Sequence, residues 1–287
     1  MADGKETGLY ERTRILVGEA GIARLQRAHV LLAGLGGVGS FAAEALIRAG
    51  IGRLTIVDHD VVSPSNLNRQ LPATWETIGR KKVAIMGERL LAINPGCQVE
   101  QLDLFLTPEQ VVPLLERTSP DWVIDAIDSL NCKVTLLMES WLRGWPVASS
   151  MGAGGRLDPT RIVVSDVMDT LVCPLAREVR IRLRRRGCGR GVLAVWSSES
   201  PLPHAPAEAT GQGRARVVNG TISYLPALFG TTLAGVVIRA LLQAGHARCM
   251  DTPAGAEEDV PARVRRSGDP ASACIGQPPA SRADPGA

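Results

Sequence analysis

Apolar residues fall along this chain in short blocks separated by amphipathic stretches, a pattern that predicts strands alternating with helices. Val30-Leu31-Leu32-Ala33 and Leu54-Thr55-Ile56-Val57 are two such blocks, and Trp122-Val123-Ile124-Asp125-Ala126-Ile127-Asp128-Ser129 reads as a strand whose far end presents Asp128. Residues 99–104 alternate as a strand does, and 146–150, 161–167 and 191–197 are further strand candidates. Helical spacing lies between them. Residues 79–94 place Val83, Met86, Leu90 and Ile93 at three- and four-residue intervals before Pro95 stops the run. Thr107-Pro108-Glu109-Gln110 is a capped helix start with proline at the first helical position, and 131–143 and 174–186 follow as helices. Residues 12–27 form a helical region with Ile15, Leu16, Ile22 and Leu25 as apolar positions, breaks near Gly18 and Gly21, and a loose leader over 1–8. The expected fold class is α/β: a Rossmann-like, mostly parallel central sheet with flanking helices, continued by a smaller second part with additional strands. The domain is expected over residues 9–245, with a nucleotide half at 28–150 and a substrate and dimerisation part at 151–245. The Pro-, Ala-, Gly- and Arg-rich residues 246–287 read as a disordered tail.

Composition narrows this only slightly. With 287 residues, 45% apolar and 21% charged, the chain can bury a sizeable core, and a net charge of +3 says little about partners. Its six cysteines, at 97, 132, 173, 188, 249 and 274, include no Cys-x-x-Cys pair, so neither a disulfide framework nor structural zinc is expected. The first ten residues lack a basic-then-apolar signal pattern, which points to a reducing cytoplasm. Residues 222–244 are largely apolar, but Arg239 and a prolyl break at Pro226 interrupt them. A buried helix is the preferred reading, with membrane contact the minor alternative.

The chemistry starts where the first apolar block runs into Gly34-Leu35-Gly36-Gly37-Val38-Gly39-Ser40, ahead of the helical text at 41–47. Glycines 34, 36, 37 and 39 suit a phosphate resting on a helix N-terminus, and Asp58, at the end of the second block, suits ribose hydroxyls. These features alone would fit any dinucleotide-binding half, including that of an NAD-dependent oxidoreductase. The polar stretch from Asp58 through Asp60, Asn66, Asn68, Arg69 and Gln70, followed by Lys82, carries more cation than a pyrophosphate needs. A triphosphate about to lose pyrophosphate suits Arg69 and Lys82 better, and Asp128 suits Mg2+ on its phosphates. A lysine in a first helical turn opposes the helix dipole, which favours a ligand-facing Lys82, although Arg80 and Lys81 beside it also read as one solvated basic patch. Arg177, Arg180, Arg182, Arg184, Arg185 and Arg186 cover most of one helix circumference. They read either as an RNA-phosphate surface or as a solvated face with Glu178 as its one acid. His204, in the proline-rich connection over 198–216, reads as an exposed loop residue, and Glu199 as a weak site candidate.

The combination of the glycine turn, Asp58-x-Asp60, Asn66-Leu67-Asn68-Arg69-Gln70, Lys82 and Ala126-Ile127-Asp128 resembles the ThiF/MoeB-type, ubiquitin-activating-enzyme-like adenylating family. Further matching text is Met151-Gly152-Ala153-Gly154-Gly155-Arg156-Leu157-Asp158-Pro159-Thr160, Cys173-Pro174-Leu175-Ala176-Arg177 and Ser198-Glu199. The resemblance, over about residues 9–243, implies ATP binding by Gly34, Gly36, Gly37, Gly39, Asp58, Asn66, Arg69 and Lys82, with Asp60, Asn68 and Gln70 on ATP or holding the loop. It implies Mg2+ at Asp128 and a homodimer in which Arg12 acts across the interface; Arg12 alone reads equally as a solvated helix-start arginine, and Leu9 stands where a second arginine is expected. Within the family, the missing zinc pairs and the arginine-rich helix point to the branch that cyclises N6-threonylcarbamoyladenosine in tRNA, with net loss of water. The competing expectations are activation of a sulfur-carrier protein, with sulfur-transfer partners, and a non-catalytic heterodimer subunit.

Overall fold

The computed structural model describes residues 3–202 and 220–243, with side chains from residue 8 onward. His204 and the expected tail lie outside these residues. Seven strands form one sheet: β1 (His29–Ala33), β2 (Arg53–Asp58), β3 (Gln98–Asp103), β4 (Trp122–Asp125), β5 (Val147–Ser150), β6 (Ile162–Asp166) and β7 (Val192–Ser197). Their order is β3-β2-β1-β4-β5-β7-β6, and every pairing is parallel except that of β6 with β7. All five residues of β1 are buried, as expected of a central strand covered on both faces.

Strand periodicity divides the core in two. Val30 and Leu32 of β1 enter one apolar cluster, while Leu31 and Ala33 enter the other. The first cluster is closed by α1 (Asp3–Arg27), α2 (Gly39–Ala49), α3 (Lys82–Ile93) and α7 (Tyr224–Gln243), through Leu25, Leu46, Met86 and Phe229. The second is closed by α4 (Pro108–Thr118), α5 (Leu130–Leu142) and α6 (Pro174–Arg185), through Leu115, Leu137 and Leu183. The expected cap on α4 is present: Thr107 and Gln110 form a reciprocal capping box, with Pro108 opening the helix.

The structure corrects several expectations. Helix α1 already begins at Asp3, so residues 3–8 are not a loose leader, and its break is a kink at Gly18, where φ is +68°. Tyr10 before the kink and Ile22 and Leu25 beyond it are buried, but Ile15 and Leu16 are 74% and 85% exposed, on the side of the helix away from Tyr10. Strand β4 ends at Asp125 rather than continuing to Ser129: the Ile127 N–H turns back onto Asp125 Oδ1 at 3.1 Å. Pro226 does not break α7, since it lies in the first turn, where its missing N–H has no intrahelical acceptor to serve.

Among the described residues, α7 is the one helix long and apolar enough to cross a membrane, yet Leu225, Phe229, Leu233 and Val237 sit fully inside the core. It crosses α2 closely at Gly230, where an added Cβ would fall 3.0 Å from Ala42 N and 3.1 Å from Phe41 Cβ, and nearer still to Val38 O. Gly230→Val is therefore expected to cost about 2 kcal/mol through overpacking. A thermal melt checks this, and an unchanged melting temperature would mean the two helices separate freely.

Candidate active site

Strand order reverses between β1 and β4, and in an open α/β sheet a ligand crevice forms outside the strand C-termini at that reversal. A cavity of about 500 Å³ lies there. Its floor is the turn between β1 and α2, with Gly34, Gly36 and Gly37 lining it. Gly34 has φ +93°, and a Cβ there would meet Ala126 O at 2.6 Å, so the turn and the end of β4 approach as only glycine allows. Gly39 begins α2 behind this turn and does not line the cavity.

Asp58 lines the cavity and braces the turn. Its Oδ2 accepts the Leu35 N–H at 2.6 Å, and its Oδ1 accepts the Asp60 N–H at 2.8 Å. Each oxygen keeps a second lone pair for a ligand hydroxyl. Lys82 also reaches the cavity. It is 4% exposed, and its Nζ lies 2.7 Å from Asp60 Oδ2. Its neighbours do not form a shared basic patch: Arg80 pairs with Glu88 at 2.5 Å and Lys81 with Asp103 at 3.0 Å. Lys82 is the buried member of the three, aimed inward on the first turn of α3.

Arg69 lines the opposite wall. Partial burial lowers its pKa from the usual guanidinium value, and Nη1 donates to Ser65 O at 2.9 Å and Asn68 Oδ1 at 2.8 Å, fixing the side chain. Gln70 also lines the cavity, and its buried Oε1 accepts no hydrogen bond among the described residues, so a ligand donor would satisfy it. Asp128 is exposed at the rim, in the turn after β4, with no ion pair among the described residues. These features fit a nucleotide triphosphate: a backbone cradle without side chains, two cations, an orphaned acceptor and a free carboxylate.

Other expected residues lie elsewhere. Asn66 is buried outside the cavity, where its Oδ1 accepts the Ser63 N–H at 3.1 Å and caps a short helical turn. Asn68 bridges loops, donating to Thr221 O at 2.9 Å. Neither amide is aimed at phosphate in this chain. Arg12 is exposed on α1 and outside the cavity lining. The Glu199 carboxylate accepts the N–H groups of Leu157 at 3.1 Å and Asp158 at 2.9 Å, which makes it a brace for that turn.

The α6 arginines divide. Its buried face is Ala176, Val179 and Leu183, so arginines occupy the remaining circumference. Arg180 grips Thr170 through its carbonyl and hydroxyl oxygens, Arg182 donates to Asn131 Oδ1 at 2.5 Å, and Arg186 reaches Thr135 Oγ1 at 3.4 Å. Arg177, Arg184 and Arg185 are exposed, and their side chains make no hydrogen bond or ion pair among the described residues. The basic surface is smaller than six arginines suggest.

Two site features escape a reading of motifs. Asp125 and Lys133 are both fully buried, with Nζ 2.5 Å from Asp125 Oδ2 and 3.0 Å from Ser150 O. Ser149 Oγ donates to the same carboxylate oxygen at 2.5 Å, so this pair ties the ends of β4 and β5 together beneath the Asp128 turn. The available signal was a lone lysine among Cys132, Val134, Leu136 and Leu137. The second feature is the wall formed by His59, Leu104, Phe105 and Leu106, in which the His59 and Phe105 rings meet edge-on at 4.6 Å. Burial pushes the Cys97, Cys132 and Cys188 thiols up to about 11, so these three are poor nucleophiles.

Comparison with known proteins agrees with this geometry. The model of the ThiF family matches residues 10–260. A tRNA threonylcarbamoyladenosine dehydratase of Bacillus subtilis is 37% identical over 241 residues, spanning 82% of this chain and 94% of its own. The Escherichia coli tRNA N6-threonylcarbamoyladenosine dehydratase solved in complex with ATP superposes with a TM-score of 0.75 at 33% identity, covering 83% of this chain and 96% of that one. A sulfur carrier protein adenylyltransferase of Thermus thermophilus is 37% identical over 145 residues, but these span 50% of this chain and 53% of its own. With its strand order, its glycine turn and its cavity all in place, the chain belongs to the ThiF family.

Proposed function

We propose that this protein is an ATP-dependent tRNA threonylcarbamoyladenosine dehydratase, which adenylates the threonyl carboxylate of N6-threonylcarbamoyladenosine and lets it cyclise. The reading rests above all on Lys82, Arg69 and Asp128 lining one glycine-floored cavity. The near full-length likeness to the Bacillus subtilis dehydratase supports it, whereas the likeness to the sulfur carrier adenylyltransferase spans half the chain.

In the first step the threonyl carboxylate oxygen attacks the α-phosphorus, and the bond to the bridging oxygen of pyrophosphate breaks. Arg69 and Lys82 stabilise the charge that builds on the leaving pyrophosphate. The turn at Gly34, Gly36 and Gly37 presents backbone N–H groups to phosphate oxygens, Asp58 takes ribose, and Gln70 Oε1 accepts a ligand hydrogen. Mg2+ bound at Asp128 would neutralise further phosphate charge. In the second step a neighbouring group of the same nucleoside attacks the acyl carbon and AMP leaves. Because the acceptor is intramolecular, no enzyme nucleophile is required.

The active unit is a homodimer in this reading. Arg12 is exposed on α1 beside the exposed Ile15 and Leu16, so an interface burying that apolar pair would bring Arg12 into contact with the partner subunit. The exposed Arg177, Arg184 and Arg185 hold tRNA phosphates. ATP and tRNA meet in the cytoplasm, the compartment we propose for it.

The test is mass spectrometry of nucleosides from tRNA carrying N6-threonylcarbamoyladenosine, incubated with the protein, ATP and Mg2+. An ATP-dependent loss of one water from that nucleoside is expected. An unchanged nucleoside in a preparation that binds ATP would overturn the assignment in favour of sulfur-carrier activation.

A further inference from the structure

Ahead of α6 the chain turns outward for two residues. Thr170 and Cys173 are 1% and 2% exposed, whereas Leu171 and Val172 between them are 65% and 53% exposed. Val172 also has φ +45°, in the left-handed region that β-branched residues avoid. The turn is gripped from both ends. The Cys173 N–H donates to Leu171 O, Arg180 holds the Thr170 carbonyl and hydroxyl, and the Thr170 hydroxyl donates to Val167 O at 2.7 Å. Strained backbone persists where its surroundings over-determine it, and two apolar side chains held in water add nothing to folding. A fold that enforces both presents Leu171 and Val172 outward as a rigid tip.

Its location and its charge indicate what the tip meets. Gly152 and Leu175 line the nucleotide cavity, and a Cβ on Gly152 would lie 3.6 Å from Cys173 Sγ and 3.8 Å from Leu175 Cβ. The tip therefore stands at the cavity rim. Residues 171–190 hold seven arginines against one acid, Glu178, and the Arg177 side chain, one turn into α6, is exposed without a partner among the described residues. An apolar tip beside free guanidinium groups matches an unstacked base and its phosphates in single-stranded RNA, where bases are splayed out and packed on side chains. An apolar protein surface would leave those charges uncompensated.

We propose that Leu171 and Val172 pack against an unstacked nucleobase next to the nucleoside held in the cavity, while Arg177 takes the adjoining phosphate. This rests on the tRNA reading above and names a contact within it. The test measures binding of the full-length protein to a hairpin RNA with a single-stranded loop and to a loop-free duplex of the same stem. Leu171→Ser is expected to weaken hairpin binding about fivefold with the salt dependence unchanged, and to leave duplex and ATP binding within twofold. Arg177→Ala should weaken both RNAs and lower the salt slope by about one. Val172→Gly relieves the left-handed strain, so its melting temperature should not fall while its hairpin binding weakens as Leu171→Ser does. Hairpin binding by Leu171→Ser within twofold of the native protein, in a preparation that converts tRNA, overturns the tip contact alone. A changed oligomeric state in Leu171→Ser assigns the tip to a protein interface and overturns it as well. A native protein that binds neither RNA overturns the tRNA reading together with it.

Discussion

Lys82→Ala is expected to reduce turnover about a hundredfold or more at saturating ATP, the scale of losing one charge-stabilising group from a desolvated site. Lys82 Nζ is the buried cation of the cavity, and Asp60 holds it 2.7 Å away on the first turn of α3. The fold should survive the change, because Asp60 is half exposed and can be hydrated once the Lys82 ammonium is gone. The expected result is thus a folded, nearly inactive enzyme, with the loss in kcat rather than in the melting temperature. Asp128→Ala should behave alike, since its exposed carboxylate makes no ion pair among the described residues and carries no packing. Water loss from N6-threonylcarbamoyladenosine under single-turnover and steady-state conditions provides the measurement. Turnover within threefold of the native protein for Lys82→Ala would remove it from the reaction and leave Arg69 as the cation of the site.

Lys133→Met is expected to have the largest effect on stability, about 3–5 kcal/mol, because it leaves a buried carboxylate without its counter-charge. Asp125 would keep Ser149 Oγ and the Ile127 N–H as donors, yet at 0% exposure it could not recruit bulk water. Adding Asp125→Asn should restore most of the loss, since a neutral amide next to methionine carries no uncompensated charge. Urea unfolding midpoints of the two single variants and the double variant make the cycle. Additive losses would mean that the two side chains stabilise the fold independently, contrary to the 2.5 Å contact. The double variant has a second use. The pair ties the ends of β4 and β5 beneath the Asp128 turn, so a folded protein without it reports how far that turn depends on the tie for its position.

Much of the fold was legible because its signals are local. Strands β1 and β2 are short, largely apolar runs, and Thr107 and Gln110, with Pro108 between them, specify the start of α4 through a reciprocal capping box. Mis-set boundaries had local causes too. Asp125 stops β4 because its carboxylate takes the Ile127 N–H and meets Lys133 eight residues on, which apolar spacing does not register. Ile15 and Leu16 have the spacing of core residues, yet they face outward, because the first part of α1 packs through Tyr10 instead.

The sequence by itself determined the alternation of strands and helices, the glycine turn, and the presence of Asp58, Arg69, Lys82 and Asp128 at loop and helix-start positions. Periodicity and turn chemistry act within a few residues, so they can be read along the chain. Only the tertiary structure decided which polar groups share the cavity. It gave Asn66 to a turn cap and Asn68 to a bridge with Thr221, separated Lys82 from the solvated Arg80 and Lys81, and buried Asp125 against Lys133. It also left Leu171 and Val172 in water at the cavity rim. Those outcomes depend on which strand lies beside which, and sheet order is set by long-range burial that spacing along the chain does not encode.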